Sequence, residues 1–226
     1  RRHVLHDELE DRRNPDRRAG ADFVSLATFF MSKNSTTAVL HTDLPGSVTQ
    51  RSWPAVPDAS TVAGDWHFQT ATGSTPFTMT GFPFRSISQF NRNSADRTYT
   101  LPAHITTPPT NVVAGTAPYV TLTSSWGIQS AEYNDFWSLF YTPDSGPVSS
   151  ITVSGTSGYF GSGPVQLNLP AFGASFNASW GMQQGIPVTW FFIASGGTAW
   201  SVGTSPQALE GAVSTTAAVR GVTFTP

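Results

Sequence analysis

Glu132 and Asp135 lie three positions apart inside an aromatic run that includes Tyr133, Phe136 and Trp137. Glycoside hydrolysis needs two such carboxyl groups, one to protonate the leaving oxygen and one to attack the sugar or to activate water. If 133–141 is a strand, Asp135 shares a face with Tyr133 and Trp137. This pair is then the one arrangement of acids in the body of the chain that hints at a sugar-cleaving cleft. The other acids of the body (Asp43, Asp58, Asp65, Asp96, Asp144 and Glu210) are scattered. Acids also cap strands and turns, so a structural role competes directly with the catalytic one.

Other chemistries find less support. A serine nucleophile needs a histidine base and an acid that converge on it. The body has many serines but only His41, His67 and His104, each isolated, and it has no Gly-x-Ser-x-Gly elbow. Gly161-Ser162-Gly163 has the form of a tight turn. His3, His6, Asp7 and Glu10 have helical spacing that would let a metal sit on one face. Without a distant third ligand the plainer reading is a solvated or docking helix, and neither a metal nor a cofactor is expected. No glycine loop opening a helix supports a phosphate site.

Seven tryptophans carry more weight. An exposed Trp or Tyr stacks on the C–H face of a sugar or anchors a protein interface. Trp53 and Trp126 stand beside turn residues and read as exposed. With Tyr133 and Trp137 they form the candidate sugar-binding set, and polysaccharide is the ligand this set would take. Trp180 and Trp190 read as core residues. Asn34-Ser35-Thr36 and Asn177-Ala178-Ser179 match the N-glycosylation sequon, a short pattern that often occurs by chance.

Charge is concentrated at one end. Of 226 residues only 26 are charged, about half the usual share of about 25%. Twelve of these lie in residues 1–22, six arginines against six acids. Residues 1–22 therefore read as a polar arm, with Val4, Leu5 and Leu9 too few to bury it. His3 to Arg13 has the spacing of a three-turn helix ended by Asn14-Pro15. The paired arginines Arg1-Arg2, Arg12-Arg13 and Arg17-Arg18 resemble the basic arm of some coat proteins. The equal number of acids would cancel counterion release, so nucleic-acid binding is not expected. The formal net charge of −2 and pI of about 6.2 likewise exclude a globally basic nucleic-acid binder.

The body, 23–226, is sparsely charged and rich in hydroxyls, with 55 Ser and Thr, 19 Gly and 16 Pro. It has no cysteine, a single lysine (Lys33) and no apolar run near the roughly 20 residues that cross a membrane. Lysine scarcity and absent cysteine lean toward an extracytoplasmic location, periplasmic or cell surface. The chain opens on Arg1, as a processed product would, and any export signal is expected upstream. The texture is similar to that of extracytoplasmic β-sandwich accessory and surface proteins of bacteria, and no motif fixes a family.

Short period-two segments separated by Gly/Pro turns recur through the second half. Strands are expected near 119–124, 133–141, 148–154, 165–169, 176–180, 188–194 and 218–225, with a short turn near 207–213. The run 188–194 is apolar on both faces and reads as a central strand that buries Val188, Trp190, Phe192 and Ile193. Residues 23–31 are expected to form a first strand. The fold expected is all-β, an antiparallel β-sandwich of jelly-roll or Ig-like kind with an extended charged N-terminal arm.

A body without clustered charge suits broad packing better than acid–base catalysis. The function expected is that of a non-enzymatic structural or accessory subunit outside the cytoplasm. It would dock onto or bridge other protein subunits of a surface or membrane-associated complex. Arg1, Arg2, Arg12, Arg13, Arg17, Arg18, Phe23, Phe29 and Phe30 are the candidate partner contacts. A carbohydrate-binding sandwich is the alternative, a glycosidase a further one, and a jelly-roll coat protein is disfavoured by the neutral arm.

Overall fold

A computed structural model describes residues 2–5, 23–34, 36–43, 50–52, 55–74, 84–105, 107–127, 131–133, 135–146, 150–161, 164–169, 172–173, 175–199, 208–221 and 223–226. The described elements are strands with a few short turns of helix. In chain order the strands are β1 (Arg2–Leu5), β2 (Phe23–Met31), β3 (Thr37–Thr42), β4 (Gln50–Ser52), β5 (Trp66–Ser74), β6 (Phe84–Asn91) and β7 (Thr98–Tyr99). There follow β8 (Thr110–Gly115), β9 (Thr121–Trp126), β10 (Phe136–Pro143), β11 (Ile151–Thr156), β12 (Val165–Asn168), β13 (Val188–Gly196) and β14 (Val213–Arg220).

Eight strands make one antiparallel sheet in the order β11-β10-β13-β14-β6-β5-β2-β3, and two three-stranded sheets, β4-β1-β7 and β12-β9-β8, accompany it. This is the expected all-β sandwich. Facing residues of paired strands share a side of the sheet, so the register fixes what looks inward. Trp137, Leu139 and Tyr141 of β10 lie opposite Ala194, Phe192 and Trp190 of β13. Ala217 and Val219 of β14 continue that row. Trp126, Leu122 and Val165 from the small sheet join the same core. The Trp126 ring lies 5.1 Å from Phe192 and 6.2 Å from Trp137. A second, smaller core of Val24, Leu26, Ala71, Tyr99 and Leu101 sits toward β2.

Beyond the smaller core, toward the start of β5 and the end of β6, the inward face turns polar. His67, Gln69, Gln89 and Asn91 occupy inward positions on β5 and β6. The Tyr99 hydroxyl donates to Gln69 Oε1 at 2.5 Å, bridging the layers.

Four expectations are corrected. Arg2–Leu5 is a strand and not the start of a helix: Val4 faces Gln50 on one side and Thr98 on the other. The rest of the arm lies outside the described residues. Phe176, Ala178 and Trp180 do not alternate along a strand, because Asn177 Oδ1 accepts from Ser179 N at 3.0 Å and folds Ala178–Trp180 into a 3-10 turn. Strand β10 begins at Phe136, so Asp135 precedes it. Ile193 is only half-buried, because β13 alternates: Val188, Trp190, Phe192 and Ala194 point into the core and Ile193 points to the outer side.

Candidate functional site

The candidate sugar-binding set does not form a surface. Trp126, Tyr133 and Trp137 are buried, and the Tyr133 hydroxyl is bonded to the Ala103 carbonyl. Trp126 ends a strand rather than starting a loop, so its adjacent Gly127 was a misleading sign. Trp53 lies outside the described residues.

Each acid of the candidate pair is occupied by backbone. Glu132 Oε2 accepts from Ala103 N at 3.3 Å, and Asp135 Oδ2 accepts from Gly197 N at 3.1 Å. Other acids serve in the same way. Asp58 Oδ1 takes both the N–H and the hydroxyl of Ser94 at 3.1 Å. Glu210 Oε2 takes Arg92 N at 2.8 Å. Asp65 takes Val62 N and Lys33 N, both at 2.9 Å, and these bonds hold its carboxyl below the ordinary value. Asp43 accepts from His41 at 2.9 Å. Among the described residues no three His, Cys, Asp or Glu side chains gather as metal ligands.

His67 is the unusual titratable group. It is buried between Phe30, whose ring is 5.3 Å away, and the facing Asn91. Burial pushes its pKa below the ordinary value, against a smaller upward pull from Asp58. The unfolded chain therefore takes up a proton at higher pH than the folded one. Stability is whole above about pH 6.5, falls by up to ~1.4 kcal/mol per pH unit below it, and levels off once the folded imidazole titrates. Denaturant unfolding from about pH 7.5 down to about pH 5 should show this slope, and His67→Gln should flatten it. Equal slopes in both proteins would show that His67 is not its source.

The outer side of the eight-stranded sheet carries a set of aromatic residues. The registers place Phe23 and Phe29 of β2, Trp66 and Phe68 of β5, Phe84 and Phe90 of β6, Phe191 of β13 and Phe140 of β10 on this one side. Phe68 lies 6.0 Å from Phe29 and 4.7 Å from Phe90, and Arg92 sits 4.4 Å above Trp66. Phe140 and Phe191 form a second pair at 6.3 Å. Hydroxyls between them bond to one another: Ser88 to Thr70 at 3.0 Å, Ser195 to Thr216 at 3.1 Å and Ser138 to Ser154 at 2.7 Å. Of the candidate partner contacts, Phe23 and Phe29 thus fall on the same side of the sheet, at opposite ends of β2, with Phe23 44% exposed. Phe30 points the other way, toward His67. Arg2 lies in β1, and Arg1, Arg12, Arg13, Arg17 and Arg18 lie outside the described residues.

No protein-family model, no curated protein and no solved structure matches this chain. No helix among the described residues is long and apolar enough to cross a membrane.

Proposed function

We propose that this chain is a non-enzymatic structural subunit, acting outside the cytoplasm, that joins neighbouring protein subunits through the outer side of its eight-stranded sheet. The observation that carries the reading is the group of half-buried rings Phe29, Trp66 and Phe68, with the exposed Phe23 on the same side at the other end of β2. An antiparallel sheet that simply faces water alternates apolar-in and polar-out. Here the first four residues of β5 do the reverse, with His67 and Gln69 inward and Trp66 and Phe68 outward. The intervening hydroxyls satisfy one another, which lowers the cost of taking them out of water.

The side is large enough to serve. Eight strands about 4.8 Å apart and about eight residues long span roughly 34 by 26 Å, comparable to the roughly 800 Å² per partner of a standard interface. Its neighbour on this reading is a second copy of the chain. The arm balances six arginines against six acids, so it complements its own kind, and Arg92 and Arg220 stand on the sheet side ready for those acids. The backbone duties of Glu132, Asp135, Asp58, Asp65 and Glu210 favour structure over catalysis. The extracytoplasmic setting rests on composition: no cysteine and one lysine.

Hydroxyl-radical footprinting tests the docking side. Raising protein concentration should protect Phe29, Trp66 and Phe68 while Tyr159, which is 81% exposed and belongs to another part of the surface, stays reactive. Uniform reactivity at every concentration would count against it.

A further inference from the structure

We infer that the loop between β12 and β13 is a binding site for a neutral carbohydrate, independent of the docking side. The loop builds an aromatic plate. Phe172 and Phe176 stack with centroids 4.4 Å apart and planes 28° from parallel. Tyr119 supports both rings, at 6.0 and 5.3 Å. Phe176 meets Trp180 edge-on, at 6.1 Å and 85°. Trp180 is 62% exposed and Phe172 42%. These rings stand outside both cores.

The plate is held rigidly. The Tyr119 hydroxyl accepts from Phe172 N at 2.6 Å and donates to its carbonyl at 3.3 Å. Gln183 Nε2 donates to the carbonyls of Ala178 at 2.9 Å and Gly181 at 2.8 Å. The Asn177 carboxamide oxygen closes the 3-10 turn, accepting from Ser179 N and Oγ. A side chain at Gly181 would run into Tyr119, 2.6 Å from its Cβ, so glycine is what lets the Trp180 turn seat against the tyrosine. Pre-organisation of this kind lowers the cost of ordering a site at binding.

The surroundings select the ligand. From Ser145 to Leu209 the sequence has no Asp, Glu, Lys or Arg, so the stretch that carries these rings brings no charged side chain of its own. The same stretch carries exposed Ser175, Asn177, Ser179 and Gln184, which bring neutral donors and acceptors. A ligand that satisfies both needs an apolar face and many hydroxyls. A pyranose has both: its C–H face stacks on an indole and its hydroxyls reach amides and hydroxyls. An apolar protein surface would desolvate those amides without replacing their bonds.

The test is affinity electrophoresis of the whole chain through gels containing laminarin, xyloglucan, galactomannan or dextran. The expected result is retardation by at least one of the four, weakened about tenfold or more in Trp180→Ala, whose circular dichroism should match the parent because the ring is mostly exposed. Phe29→Ser, on the docking side, should be retarded like the parent. No retardation in any gel, or equal retardation of Trp180→Ala, overturns the inference. So does a Trp180→Ala variant that loses self-association in place of glycan binding, since the plate would then be a protein contact.

Discussion

Phe192→Ala is expected to lower the unfolding free energy by ~3–5 kcal/mol. Phe192 is fully buried at the centre of the main core. It lies opposite Leu139 on one side and Val219 on the other, with the Trp126 ring 5.1 Å away from the facing sheet. Truncation removes the ring's burial and leaves a hole that Trp126 and Trp137 cannot fill, because both are tied edge-on to Phe160 at 6.2 and 5.8 Å. The measurement is the denaturant midpoint, with the slope of the transition unchanged. A loss below about 1 kcal/mol would place Phe192 outside the core.

Gly221→Ala should destabilise by a comparable route in the opposite direction, overfilling where the first variant empties. A Cβ at Gly221 would stand 1.7 Å from Trp190 Cε2 and 1.8 Å from Cζ2. The backbone cannot retreat easily, since Gly221 N donates to the Trp190 carbonyl at 3.1 Å. Nor can the indole swing freely, being 6% exposed and opposite Tyr141. The expected cost is about 3 kcal/mol. Adding Trp190→Phe, which removes the second ring, should restore part of that loss, so the two changes together cost less than their sum. Strict additivity would show that the indole is not what the new methyl meets.

The second half of the sandwich was readable because its inward positions follow the ordinary rule. Val188, Trp190 and Phe192 on β13, and Trp137, Leu139 and Tyr141 on β10, alternate as strands with one apolar side do. The first half, β2 apart, hid its strands. On β5 and β6 the inward side carries His67, Gln69, Arg85, Gln89 and Asn91, while Trp66, Phe68, Phe84 and Phe90 face outward. Bonds such as Tyr99 to Gln69, or Arg85 to the Pro102 carbonyl at 2.8 Å, come from distant parts of the chain and leave no local pattern.

Trp180 misled for a related reason. Its alternation with Phe176 and Ala178 is genuine, but the Asn177 carboxamide competes for Ser179 N and turns the chain. The aromatic plate it belongs to depends on Tyr119, 53 residues before Phe172, and only the fold brings the two together. Phe23 and Phe29 were legible as candidate contacts from β2 alone. Their companions Trp66 and Phe68 join them through the β2–β5 register, which no spacing in the sequence displays.

Sedimentation velocity of the parent and of Phe29→Ser/Phe68→Ser, across a range of protein concentration, tests the docking side most directly. Both substituted positions are half-buried and outside the two cores, so the variant should keep its fold by circular dichroism. The parent is predicted to shift toward larger species as concentration rises. The variant should need at least about tenfold more protein to do the same, as expected when central aromatic anchors are removed from an interface. A parent that sediments as a single chain throughout, or a variant that associates as readily as the parent, would contradict the assignment of this side as the subunit interface.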